Sequence, residues 1–315
     1  MGDNREMYAA PQPQHAASRS PIQGPALPIG LAITALGVLL SLAGASDAST
    51  SAAEQPEPVA VLEVPAVDLA ATPAADPCAD PAVQQALAAG DDAATVAGFG
   101  GGEEFRAAVI AGNAPCIALD DPAHSWVVVN KARPLVPMDF TPPALVQLPV
   151  QVTTSAGLAR PEVAAAAGEM AQAVSAAGIG QLGANNGYRS YGLQVANYDS
   201  QVRDLGQAEA DAGSARPGHS EHQTGLALDV VACGDGCGGI DGFGSTPQSE
   251  WVAAHSWEHG FIVRYETVGT GATGYEPEPW HIRYIGVELA AAYHEGGFHT
   301  LEEFFGLPAA PDYPH

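Results

Sequence analysis

Positive charge is what this chain has least of. Its 315 residues carry 11 Lys and Arg against 36 Asp and Glu, a formal net charge of −25. A protein that grips nucleic acid needs a basic face to displace counterions, so that class is excluded. The same deficit argues against an anionic lipid surface as partner, and the acidity is read as serving solubility. No internal repeat and no Gly-rich phosphate loop is present, which removes repeat arrays and P-loop chemistry. Cysteine is limited to Cys78, Cys116, Cys233 and Cys237. A structural zinc site at Cys233 and Cys237 is rejected, because no neighbouring His completes a set of four ligands.

The basic residues that exist are unevenly placed. Arg5 and Arg19 precede an apolar, uncharged segment from Ala26 to Ala45, and no further Lys or Arg follows until Arg106. That asymmetry predicts a cytoplasmic segment over 1–25 and an exported remainder. Residues 26–45 are long enough to span a bilayer, while Ala43-Gly44-Ala45 is also an acceptable cleavage site, so the segment reads as a signal peptide or a transmembrane anchor. The long stretch ahead of it favours the anchor. Either outcome places the chain outside the cytoplasm, held at the membrane or secreted. Residues 46–77, rich in Ala, Pro, Ser and acidic side chains, read as a flexible linker.

Four cysteines in an exported chain suggest two disulfides, and of the three connectivities possible we expect Cys78 with Cys116 and Cys233 with Cys237. The first pair brackets helix-like runs at Ala82–Ala89 and Glu103–Ala111, a small helical region over 78–122. Beyond it, Pro161 and the apolar steps Val163, Ala167, Met170 and Val174 predict an amphipathic helix ending near Gly178. Further helices are expected from Arg189 to about Leu205, from Thr246 and Pro247 to near Gly260, and over Val287–Glu295. Residues 206–219 read as a loop bordering a cleft. With short strands between, the sum is an α+β fold: helices packed on a small, mainly antiparallel sheet around a zinc cleft, preceded by the membrane segment and linker.

Chemistry is concentrated in two places. Ser220-Glu221-His222-Gln223-Thr224-Gly225-Leu226-Ala227-Leu228-Asp229 is answered by Glu278-Pro279-Trp280-His281. Two His and one carboxylate leave a zinc ion an open position for water, and His222, Asp229 and His281 supply that set. A base must still take the proton of the water, and Glu278 is the candidate. Leu226 to Val231 reads as a buried strand with one polar residue, Asp229, whose burial is costly unless it is paired or metal-bound. Pro279 places Glu278 at the entrance of a second strand, Trp280 to Ile285. His219 is an alternative ligand, read instead as cleft-lining or structural. Glu276 is an alternative base, because Glu276-Pro277-Glu278-Pro279 repeats one unit.

These motifs resemble the VanY-type D-alanyl-D-alanine carboxypeptidases, zinc peptidases that trim peptidoglycan stem peptides. The likeness runs from Ser125-Trp126-Val127-Val128-Val129-Asn130-Lys131-Ala132-Arg133-Pro134-Leu135 through Gly187-Tyr188-Arg189-Ser190-Tyr191 and the two segments above. It includes Gly260-Phe261-Ile262-Val263-Arg264-Tyr265 and closes at Thr300-Leu301-Glu302-Glu303-Phe304. It implies a peptidase domain over 123–307, with 308–315 a tail. It matches His222, Asp229 and His281 to zinc ligands and Glu278 to the general base. Arg189, Gln194 and Ser220 match substrate contacts, with Arg189 either gripping the peptide carboxylate or steadying an oxyanion. The implied activity is removal of the terminal D-alanine from stem pentapeptides in the cell-wall space. A related zinc L,D-carboxypeptidase, D,D-dipeptidase or endopeptidase is the alternative, and a non-catalytic zinc-containing wall-binding module the second. Oligomeric state is not legible.

Overall fold

Capping residues and prolines set out the first helices. This computed structural model describes residues 76–314, so the expected cytoplasmic segment, the signal or anchor at 26–45 and nearly all of the 46–77 linker lie outside the described residues. Asp80 caps helix α1 (Pro81–Ala89) and Asp91 caps α2 (Asp92–Gly98), each accepting a backbone N–H of the first turn, and α3 (Gly102–Ile110) follows. A two-stranded ribbon, β1 (Val146–Gln147) with β2 (Leu158–Ala159), leads into α4 (Pro161–Ala176). Then come β3 (Gln181–Asn186), α5 (Tyr191–Leu205), α6 (Gln207–Gly213) and β4 (Ala227–Cys233). Helix α7 (Pro247–His255), β5 (Phe261–Tyr265), α8 (Thr270–Thr273), β6 (Glu278–Tyr284), α9 (Val287–Glu295) and α10 (Leu301–Phe304) complete the order. Among the described residues no helix is long and apolar enough to cross a membrane.

The main sheet has the order β3-β4-β6-β5, with every neighbour antiparallel. Side chains alternate across it. One face presents Leu228, Val230 and Ile282 to a core shared with Val163, Met170 and Val174 of α4. The other face carries Asp229, His281 and Arg283, and it stays buried because loops and helices cover it. The α+β class with a small antiparallel sheet is therefore observed.

Two local expectations change. Residues 206–219, expected as a loop, contain α6, which Gly206 opens at φ +85°. The 78–122 segment holds a third helix, α2, and it is not set apart from the rest. Val83, Val96 and Phe105 share a second core with Trp126, Ile262 and Leu289. Burying those apolar faces requires the rest of the chain. Both disulfides form as expected, Cys78–Cys116 and Cys233–Cys237.

Candidate active site

Asp229 on β4 and His281 on β6 are directly opposed across the sheet, so their side chains leave the same face. His222 comes from the turn Glu221–Thr224 just before β4, closed by Gly225 at φ +70°. A residue with a Cβ is strained at that φ, and its Cβ would also press to 3.2 Å on Arg160. One potential ligand atom from each of His222, Asp229 and His281 falls within 4.8 Å of the others, all three residues being buried.

Hydrogen bonds decide which atoms face inward. His222 Nδ1 lies 2.8 Å from the carbonyl of Gly187, to which its N–H donates. Its Nε2 then points a lone pair at Asp229 Oδ2, 3.3 Å away. His281 Nε2 lies 3.3 Å from Glu221 Oε2, leaving Nδ1 facing Asp229 Oδ1 at 3.2 Å and Glu278 Oε2 at 3.6 Å. Asp229 Oδ2 accepts from Asn186 Nδ2 at 3.2 Å. Asp229 Oδ1 is buried and has no hydrogen-bond partner, its approach to His281 lacking hydrogen-bond geometry. Ligands about 2.1 Å from a tetrahedral cation sit about 3.4 Å apart, and each inward imidazole nitrogen here stands 3.3 or 3.2 Å from an Asp229 oxygen. An orphaned carboxylate oxygen beside two inward lone pairs fits a divalent cation, and zinc in particular, whose usual donors are these.

The electrostatics agree. Burial works against ionising Asp229, but His222 and His281 outweigh it and hold the carboxyl well below its ordinary range. Burial lowers the pKa of His222. For His281 burial is overcome by the Asp229 and Glu221 carboxylates facing its two ring nitrogens, which raise it to about 9. A field that favours a proton on His281 equally favours a metal ion there. Burial lifts Glu278 to about 7, despite the opposing pull of His281.

A cleft of about 380 Å³ opens on this cluster. Glu278, Ser220 and Arg189 line it, and among the described residues Arg189 is its one Lys or Arg. Arg189 Nη2 stands 3.8 Å from Asp229 Oδ2, and Nη1 donates to Gln194 Oε1 at 2.9 Å. Gln194 itself is fully buried behind Arg189, with its amide nitrogen donating to Ala215 O at 2.6 Å, and it is not among the lining residues. His219 is turned away, with Nδ1 on the carbonyl of Asn130 at 2.8 Å. Glu276 is exposed, outside the cleft.

The family model for VanY, described as D-alanyl-D-alanine carboxypeptidase, matches residues 157–287, which contain every residue of this cluster. The putative carboxypeptidase YodJ of Bacillus subtilis (strain 168) is 36% identical over 191 residues, 59% of this chain and 69% of that protein. The chain belongs to the VanY carboxypeptidase family. A D-alanyl-D-alanine carboxypeptidase of Enterococcus faecium is 34% identical over 144 residues, 45% of this chain and 42% of its own length. The solved structure of the LdcB LD-carboxypeptidase aligns with a TM-score of 0.55 at 36% identity, covering 59% of this chain and 87% of that one.

Behind the VanY-family cluster lies a charged layer that the motif reading did not assign. Glu221 is fully buried, and its Oε1 accepts from Arg264 Nε at 3.0 Å and Arg283 Nη1 at 2.6 Å. Burial opposes its charge, but Arg283 and Arg264 hold its carboxyl far below the usual range. Glu302 of α10 takes both terminal nitrogens of Arg264 at 2.9 and 3.1 Å. A permanently ionised Glu221 therefore orients His281. The available signal was Arg264 standing in the otherwise apolar run Phe261–Tyr265, since a buried guanidinium requires a carboxylate.

Proposed function

We propose that the protein is a zinc carboxypeptidase releasing the C-terminal D-alanine of peptidoglycan stem peptides, by cutting the D-alanyl-D-alanine bond of the pentapeptide. The observation that carries this reading is the convergence of His222, Asp229 and His281, with Asp229 Oδ1 buried and unpaired. Those three residues would hold the zinc, leaving one coordination position open. When bound, zinc supplies Lewis acidity, polarising a carbonyl and lowering the pKa of water to about 7. Glu278 takes the proton of the attacking water and returns it to the departing amine, from a place 3.6 Å from His281 on the cleft wall. Arg189 grips the carboxylate of the terminal D-alanine, which a guanidinium matches by charge and fork geometry. Gln194 holds that guanidinium in place. Ser220 and the polar side chains of Asn197 and Gln201 on α5 offer hydrogen bonds to the rest of the peptide.

The family description and the E. faecium relative support the D,D reading. A second reading, an L,D-carboxypeptidase acting on the tetrapeptide, is supported by the likeness to LdcB. Both release D-alanine and differ in the chirality of the residue on the acyl side, which the cleft walls discriminate. Either substrate lies outside the cytoplasmic membrane. Segment 26–45 would deliver the enzyme there as signal or anchor, and two disulfides accord with an oxidising compartment.

Mass spectrometry after incubation with penta- and tetrapeptide tests the assignment. Conversion of pentapeptide to tetrapeptide is expected, abolished by a chelator and restored by zinc. Tripeptide formed from tetrapeptide favours the second reading, and no D-alanine from either substrate contradicts both.

A further inference from the structure

Tyr313, near the end of the chain, joins the two segments that border the cleft. Its hydroxyl oxygen accepts the backbone N–H of Arg216 at 2.8 Å and lies 3.1 Å from the hydroxyl of Tyr275. Gly213, Ser214 and Ala215, immediately before Arg216, line the cleft, and so does Tyr275. The ring of Tyr313 is buried, with the Arg216 guanidinium 4.1 Å from its centre and the His219 ring edge-on to it. Arg216 is fixed in turn by two bonds to Asp211, at 3.0 and 2.8 Å.

Neighbouring residues hold the tail against the same segments. Ala310 N donates to Ala272 O at 2.7 Å, and Lys131 Nζ donates to the carbonyls of Gly274 and Pro311 at 2.6 and 3.2 Å. A Cβ at Gly274 would collide with the Pro311 carbonyl. From Tyr313 the way to the site is short. Ala215 O accepts from Gln194 Nε2 at 2.6 Å, and Gln194 Oε1 accepts from Arg189 Nη1 at 2.9 Å.

We propose that Tyr313 is a positioning residue for substrate recognition. It fixes the 213–216 backbone and Tyr275 relative to each other, and through Ala215 and Gln194 it aims Arg189 at the peptide carboxylate. This rests on the role given to Arg189 above. Tyr313 is not among the residues lining the cleft and has no contact with His222, Asp229 or His281, so its effect falls on binding rather than on bond cleavage. The hydroxyl is the part that matters, because it alone reaches both segments.

The test is Tyr313→Phe in the full, zinc-loaded chain. KM for a D-alanine-terminated peptide is expected to rise about five- to tenfold with kcat within about twofold, as loss of the hydroxyl's two fixed hydrogen bonds predicts. Zinc content stays at the wild-type value, and the melting temperature falls by only a few degrees, since the ring packing is kept and only the hydroxyl's bonds are lost. In an Arg189→Lys background the same substitution adds nothing to KM, because its route is already cut. Hydrogen exchange of amides 213–216 and 272–276 quickens in Tyr313→Phe, a readout that needs no activity. Tyr293→Phe, which loses a buried hydroxyl that has no partner, is the control and leaves KM unchanged. An unchanged KM or unchanged exchange in Tyr313→Phe overturns the proposal, as does an equal rise in KM in the Arg189→Lys background. A wild-type protein that cuts no such peptide would sink the functional reading instead, and the exchange comparison would then decide alone whether Tyr313 ties the segments together.

Discussion

At Asp229 a carboxylate only 5% exposed faces two imidazoles with one oxygen unpaired. Replacing it by Asn keeps its shape and removes its charge, so zinc affinity measured by chelator competition is expected to fall about 100-fold or more. Wild-type affinity in Asp229→Asn would remove it from the ligand set. Glu278 is separable from binding. Glu278→Gln should retain zinc by elemental analysis and lose about 10²–10⁴ in turnover, the usual share of a general base. A fully active variant would end that assignment. At Glu221 the expectation is double, because it both orients His281 and neutralises Arg264 and Arg283. Glu221→Gln should weaken zinc binding about 10- to 100-fold and, by leaving the buried Arg283 guanidinium without a carboxylate while Arg264 keeps Glu302, cost about 3–5 kcal/mol of stability. Urea melts and chelator titration measure the two effects separately.

Among the elements, those that carry ligands were the most legible. The apolar run Leu226–Val231 and the Pro279-bounded segment announced β4 and β6, and metal chemistry demanded particular residue types within them. Strand β3 was harder to read because Gly183, Asn185 and Asn186 are poor strand formers, and it is held by pairing with β4 instead. Helix α6 was hidden because glycines at 206, 213 and 218 mark a loop by propensity, yet the bond from Tyr198 to Asp211 and the burial of Ala210 fix it. Glu221 was hidden for another reason: its partners lie 43 and 62 positions away, beyond any local pattern. Gln194, named through the family likeness as a substrate contact, stands buried behind Arg189 instead, and Tyr313 was not legible because its hydrogen bonds reach residues 38 and 97 positions away. The disulfide pairs were legible from order along the chain. Removing Cys78–Cys116 by a double Ser substitution should cost about 2–4 kcal/mol by denaturant melting, because the helices it closes belong to the second core. Zinc content should stay at the wild-type level, since none of the site's hydrogen bonds involves that bridge. Unchanged stability would show that core packing alone fixes these helices.

For the whole molecule, the excess of acid is not spread evenly in its effect on stability. Glu302 is buried, which works against its charge, but the Arg264 guanidinium outweighs this and lowers its pKa. Asp211 is likewise lowered, with the hydrogen bond from Arg216 prevailing over burial. Groups lowered on folding stabilise the native state fully above the unfolded carboxylate values of about 4, and that contribution is lost as pH falls through the lower folded values. Stability by urea melting should therefore drop from pH 5 to pH 3, and Glu302→Gln should flatten the drop. A wild-type protein equally stable at both would contradict the assignment. Glu278 has the opposite sign: its folded value near 7 lies above the unfolded one, so ionising it costs folding free energy between about pH 4 and that value. A cation beside it removes that cost, which links metal binding to the stability of the fold.

The central claim is that His222, Asp229 and His281 share one zinc ion beside Glu278. Anomalous diffraction at the zinc edge from crystals grown with zinc tests it most directly. The account predicts one strong peak bonded to those three side chains at the floor of the cleft. No peak there, or a zinc held by other residues, would contradict it.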